Sequence, residues 1–156
     1  MNRILVRILS ASLALGLIIS LNTCSKDNGT ANRAAGEKFL EENGKRAGVI
    51  TTASGLQYEI LVEGTGSIPN SSSKVKVRYK GTLIDGTEFD SSSAGGVDFY
   101  VTEVIPGWTE ALKMMPVGSK WKLYIPYSLG YGADVHGDIP AYSALIFEIE
   151  LLGIVS

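Results

Sequence analysis

One cysteine and one histidine in 156 residues remove several kinds of chemistry at once. Cys24 has no second cysteine with which to close an intramolecular disulfide. His136 has no second histidine beside it, so the ligand set of a zinc site is missing. That histidine lies in Gly132-Ala133-Asp134-Val135-His136-Gly137-Asp138, whose composition is that of a surface loop. No Gly-x-Ser-x-Gly frames a serine nucleophile. Neither Gly-x-x-x-x-Gly-Lys-Ser/Thr nor a strand-linked Gly-x-Gly-x-x-Gly occurs, so the 18 glycines read as turn formers rather than phosphate cradles. Asp85, Glu88, Asp90, Asp98, Glu103, Asp134 and Asp138 lack the spacing of a calcium loop and read as an acidic rim. No metal and no cofactor are expected. A net charge of −2 carries no basic footprint, which argues against a nucleic-acid partner.

Long apolar runs are also scarce. The one candidate, residues 8–21, is interrupted by Ser10, Ser12, Gly16 and Ser20 and falls short of the roughly 20 apolar residues a membrane span requires. With Arg3 and Arg7 before it, this is the charged and apolar pattern of a secretory signal, residues 1–23. A lone cysteine directly after such a signal resembles the lipobox of bacterial lipoproteins. That resemblance implies lipidation at Cys24, a membrane partner through the anchor, and a bacterial envelope location facing the periplasm or the surface. An ordinary signal peptide cut nearby, or an uncleaved signal anchor, is the other reading. Removing residues 1–23 takes away two arginines and no acid, so the charge moves from −2 to −4.

What is present is organised in blocks. Residues 24–36 are small and polar and read as a flexible tether without fixed structure. Residues 37–55 read as a short helix and linker, with Glu41/Lys45 and Glu42/Arg46 in acid-first i,i+4 order and Gly44 and Gly48 as limits. Such a helix is too short to be a dimerising stalk, and a monomer is expected. Residues 56–156 then alternate with period two. Val75, Val77 and Tyr79 oppose Lys74, Lys76, Arg78 and Lys80; Trp121, Leu123 and Ile125 oppose Lys120, Lys122 and Tyr124; Leu145, Phe147, Ile149 and Leu151 oppose Ile146, Glu148 and Glu150. These are half-buried antiparallel strands with one wet face. Asp85-Gly86 marks a two-residue hairpin. Trp108, Ala111, Leu112 and Met115 recur at helical spacing, with Pro116 as the stop. One short helix on an antiparallel sheet is an α+β architecture.

The remaining feature is a convergence of aromatic side chains, for which core packing is the plain interpretation. Their order along the chain says more. Val77-Arg78-Tyr79-Lys80-Gly81-Thr82-Leu83, Asp85-Gly86-Thr87-Glu88-Phe89-Asp90-Ser91-Ser92 and Val104-Ile105-Pro106-Gly107-Trp108-Thr109-Glu110-Ala111-Leu112 are followed by Met115-Pro116-Val117-Gly118, residues 127–132, Ile139-Pro140 and residues 145–152. In order and spacing across residues 56–156 this series resembles the FKBP-type peptidyl-prolyl cis-trans isomerases. Phe39-Leu40-Glu41-Glu42-Asn43 and Ser54-Gly55-Leu56-Gln57-Tyr58 resemble the segment that precedes the catalytic domain in bacterial envelope members.

The resemblance implies a twisted antiparallel sheet of about five strands wrapped around one short α-helix. It implies an isomerase of Xaa-Pro bonds in exported proteins, with unfolded or partly folded proline-containing polypeptides as partners and macrolides as a further ligand class. The implied substrate pocket comprises Tyr79, Phe89, Asp90, Phe99, Val104, Ile105, Trp108, Tyr131, Ile139 and Phe147, with Trp108 as floor. Asp90, Tyr131 and Phe89 are the implied catalytic residues. Asp90 either orients the twisted carbonyl or Tyr79, or caps the hairpin end through the Ser91 and Ser92 amides. Two positions depart from the family pattern: Val97 stands where an aromatic wall residue is common, and Asp138 where an apolar one is frequent. A non-catalytic envelope chaperone or peptide-binding module on the same fold is the alternative function.

Overall fold

Ten residues of alternating basic and aliphatic character, Lys74–Leu83, form the strand on which the rest is assembled (β3). In the computed structural model, which describes the backbone of residues 12–156 and side chains from Asn28 onward, Val75 and Val77 are fully buried and Lys76, Arg78 and Lys80 face solvent. The first half of the expected signal, and the Cys24 side chain, lie outside the described residues. The other strands are β1 (Ile50–Thr51), β2 (Gln57–Val62), β4 (Glu88–Ser91), β5 (Val97–Tyr100), β6 (Lys120–Ile125) and β7 (Leu145–Ile154). All pair antiparallel in the order β1-β2-β6-β7-β3-β4, and β5 shares with β4 the far edge of β3. The α+β class and the antiparallel sheet are as expected. The strand total is higher because β1 and β5, at two and four residues, are too short to display a period of two.

The inner face of the sheet packs on helix α2 (Pro106–Leu112). Pro106 stands in its first turn, where a missing N–H costs nothing. Trp108, Ala111 and Leu112 are buried toward the sheet with Met115 just beyond the helix end, in one cluster with Val75, Val77, Leu123, Leu145, Phe147 and Ile149. Gly107 is required by space: a Cβ there would lie 2.8 Å from Ile125 Cγ2.

The outer face is not uniformly wet. Helix α1 spans Ser12–Asn43, so the segment 24–36 is helical where a tether without fixed structure was expected. The physical reason is docking: Gly36 is buried, and Asn32, Phe39 and Leu40 are partly so, on the side that meets the domain. Phe39 packs on Tyr124 with ring centroids 6.0 Å apart, which buries a residue the alternation assigned to solvent. A 32-residue helix also removes the argument for a monomer that rested on a short one. Among the described residues no helix is long and apolar enough to cross a membrane.

The C-terminus of α1 shows why one expected ion pair does not form. Glu41 and Lys45 pair at 2.9 Å. The helix ends at Asn43, so Arg46 is off its surface, and its guanidinium bonds Asn43 Oδ1, the Tyr124 hydroxyl and Glu59 instead of Glu42. At the other turn the loop has three residues rather than two. Gly86 N donates to Leu83 O and Leu83 N to Thr87 O, with Gly86 at φ 90°, the arrangement of a type I turn closed by a glycine bulge.

Candidate active site

The cleft between the sheet and the start of α2 has a volume of about 260 Å³ and is lined by Tyr79, Asp90, Phe99, Glu103, Val104, Ile105, Trp108, Tyr131 and Phe147. Sheet register places Tyr79 opposite Ile149 and Gly81 opposite Phe147, so β3 and β7 deliver two adjacent aromatic rings to the same side. Helix α2 supplies Trp108 from its first turn. The indole is 4% exposed and meets Tyr79, Phe99 and Phe147 edge-on, with centroids 5.0, 5.7 and 5.2 Å away. Its Nε1–H has no oxygen or nitrogen partner among the described residues. The floor of the cleft is therefore a nest of rings in the tilted and edge-to-face geometry that ring quadrupoles favour.

Polar groups are few and sit at the rim. The Tyr79 hydroxyl donates to Asp90 Oδ2 at 2.7 Å. Neither the Ser91 nor the Ser92 amide donates to Asp90: Ser92 N donates to Tyr79 O, and the Ser92 hydroxyl accepts from Tyr79 N. Burial pushes the Tyr79 phenol above its usual range, and the bond to Asp90 and that carboxylate's charge push the same way. Tyr131 is also raised, first by burial and then by the Asp90 charge. Both phenols thus stay protonated through the neutral range and remain hydrogen-bond donors. Ile105 caps α2, where its carbonyl accepts from Trp108 N and Thr109 N while its own N–H makes no backbone hydrogen bond among the described residues.

Eight of the ten residues expected in the pocket line the cleft. The other two stand behind it. Phe89 packs edge-on against Phe147 at 5.4 Å and supports the wall rather than forming it. Ile139, 4% exposed, is buried in the core cluster, and its backbone pairs with His136. Val97 pairs with Val77 in the sheet and is not among the lining residues.

Three contributors lie outside the ten residues expected in the pocket. Glu103, expected only as part of a general acidic rim, lines the cleft. His136 is exposed, as a loop residue should be, but its ring stacks on Tyr131 at 4.2 Å with 9° between planes. Gly81 is the spacer of the aromatic wall: a Cβ would lie 2.6 Å from Phe147 and 2.8 Å from Phe89. No local pattern distinguishes that glycine from one in a turn. Among the described residues no cluster of His, Cys, Asp and Glu could hold a metal ion.

The arrangement offers a dry, ring-lined slot with hydrogen-bond donors at its edge and no activated nucleophile. Residues 66–152 match the family profile "FKBP-type peptidyl-prolyl cis-trans isomerase", and residues 17–60 match the "domain amino terminal to FKBP-type peptidyl-prolyl isomerase". The chain is 54% identical over 127 residues to the FKBP-type 22 kDa peptidyl-prolyl cis-trans isomerase of Escherichia coli, covering 80% of this chain and 62% of that protein. It is 48% identical over 126 residues to the Outer membrane protein MIP of Legionella longbeachae, covering 79% and 54%. The chain thus spans less than two thirds of either relative. Among solved structures, FkpA from Escherichia coli superposes with a TM-score of 0.80 at 40% identity, covering 92% of this chain and 68% of that one. A peptidyl-prolyl isomerase from Pseudomonas syringae gives 0.77 at 40% identity, covering 81% and 96%.

Proposed function

Since the chain belongs to the FKBP-type peptidyl-prolyl cis-trans isomerase family, we propose that it catalyses rotation about Xaa-Pro bonds in unfolded or partly folded polypeptides, using the cleft over Trp108. The observation that carries this reading is the slot itself: the rings of Tyr79, Phe99 and Phe147 packed around Trp108, with no reactive group among them.

A prolyl amide resists rotation by about 18–20 kcal/mol because twisting destroys its resonance. The twisted amide has less charge separation than the planar one and loses less on leaving water. A dry aromatic slot therefore binds it better than the solvated ground state, and only such differential binding accelerates the step. In this assignment Trp108, Phe147, Val104 and Ile105 hold the proline ring, and Tyr79 and Phe99 exclude water. The Tyr131 hydroxyl and the Ile105 N–H fix the substrate backbone. Asp90 orients the Tyr79 hydroxyl, in keeping with their 2.7 Å bond. Phe89 and Ile139 act from behind, holding Phe147 and the loop after His136. The same slot would admit the apolar body of a macrolide.

The proposed setting is the bacterial envelope, with lipidation at Cys24 as the anchor and exported proteins as clients. The charged and apolar leader supports it, and so does the name of the Legionella relative, an outer membrane protein.

A protease-coupled assay of the full chain on a Xaa-Pro tetrapeptide tests the reading, and acceleration of the cis-to-trans phase is expected. Phe89→Ala and Asp90→Ala, both folded, should lower kcat/KM. Suppression of aggregation without any acceleration would replace the enzyme with a non-catalytic peptide-binding module.

A further inference from the structure

Helix α1 reaches the neighbourhood of the cleft without lining it. Asn32 Nδ2 donates to Ala141 O at 2.6 Å and to Ser143 Oγ at 3.0 Å. The buried Ser143 hydroxyl donates onward to Pro140 O at 2.7 Å. On the same helix face, a Cβ on Gly36 would lie 3.1 Å from Ala144 Cβ, and one on Gly29 3.5 Å from the Tyr142 ring. Gly29, Asn32 and Gly36 are spaced at three and four residues, which lets the helix lie close against residues 141–144.

That segment is tied to the rim of the cleft. Tyr142 N donates to Gly132 O at 2.9 Å, and Gly132 N to Tyr127 O at 2.9 Å. Tyr131, whose ring lines the cleft, is the residue before Gly132. Among the described residues Tyr142 is the one non-glycine with a left-handed backbone, φ 58°. Such a conformation persists only where the surroundings impose it. The Tyr142 ring is held edge-on to Tyr127 at 5.1 Å, and the Arg33 guanidinium lies over Tyr127 at 5.4 Å. An asparagine inside a helix is a poor choice on propensity, and its neighbours Ala31, Arg33, Ala34 and Ala35 are good ones. Its two long-range bonds account for its presence there.

We propose that Asn32 is a positioning residue for the substrate cleft: by holding Ala141 and Ser143 it fixes the strained turn at Tyr142, and through Gly132 it sets where the Tyr131 ring stands. The inference rests on the reading of the cleft as a prolyl site. Tyr131 would contact substrate in the ground and transition states alike, so misplacing it weakens uniform binding and raises KM with kcat held.

The test uses the full chain with Asn32→Ala, Asn32→Asp and, as a control on the exposed side of the same helix, Glu41→Ala. Asn32→Asp is the sharper change because a carboxylate cannot donate to Ala141 O. Both Asn32 variants should raise KM on a Xaa-Pro tetrapeptide by a factor of about two to ten, the range a single net hydrogen bond supports. Their Tyr131 and Gly132 amide resonances should shift, and Glu41→Ala should change neither. An Asn32→Asp protein with unchanged KM, or with unmoved Tyr131 and Gly132 resonances, overturns the proposal even where its melting temperature has fallen. If the unmodified chain shows no isomerase activity, the isomerase reading fails instead. Positioning is then decided by those two resonances alone.

Discussion

The two faces of the sheet are covered by opposite means. Inside, α2 and the β6–β7–β3 strands meet through Leu123, Leu112, Met115, Ile149 and the rings of the cleft, with polar side chains confined to its rim. Outside, α1 is held largely by side-chain amides: Asn43 Nδ2 to Gln57 Oε1 at 2.9 Å, Gln57 Nε2 to Leu40 O at 2.8 Å, and Asn32 to residues 141 and 143. The apolar face creates a solvent-poor slot, whereas the amide face fixes a helix in one register. The first stabilises without direction and the second aligns.

The largest expected effect therefore lies inside. Leu123, fully buried between β2 and β7, leaves a cavity when cut to alanine, and Leu123→Ala should lower unfolding free energy by about 2–5 kcal/mol. Urea titration followed by tryptophan fluorescence measures it. A loss comparable to that of a surface substitution would mean the inner face is not the folding core.

The middle effect lies at the seam. Asn43→Ala removes a buried donor and leaves the Gln57 carbonyl without it, a loss of about 1–3 kcal/mol. Adding Gln57→Leu should recover part of that, since two apolar groups no longer demand partners. If the double variant is as unstable as the sum of the single ones, the amide pair is not what joins helix to sheet. Residual peptide activity in both variants would separate this contact from the one at Asn32, which lies at the other end of the docked helix.

The same contrast explains what could be read from sequence. Alternation in Lys74–Leu83 and Leu145–Ile154 reports burial, because basic residues alternate with aliphatic ones in the first and Glu148 and Glu150 interrupt the apolar run in the second. The expected pocket came from the family resemblance of an ordered series of motifs, and alternation alone spoke only for Tyr79 and Phe147. Helix α1 was legible only from residue 37 on, since the docked face before it is built of Gly29, Asn32 and Gly36, residue types that composition assigns to a tether. Partners lie more than 100 residues away for Asn32 and 14 away for Asn43, and no local period encodes such pairings. Tyr124 fell on the wet face for the same reason: its cover is Phe39, from another element. Phe89 matched a motif yet stands behind the wall, because the space Gly81 leaves is visible only when β3 and β4 are paired.

The smallest effect should come from the one of the two ion pairs announced by the sequence that does form. Glu41 and Lys45 pair at 2.9 Å, but their side chains are 72% and 70% exposed. Water and salt screen such a pair, and ordering two long side chains offsets what attraction remains. The Lys45 ammonium holds the Glu41 carboxyl below its usual range, first by hydrogen bonding and then by charge. A depressed carboxyl contributes stability that is present above its ordinary pKa and fades as pH falls through the lower, folded value. At neutral pH Glu41→Ala should leave the melting temperature unchanged within error, and raising salt should not alter that result. A fall comparable to that of Asn43→Ala would mean that surface charge, rather than buried amides, holds the helix in place.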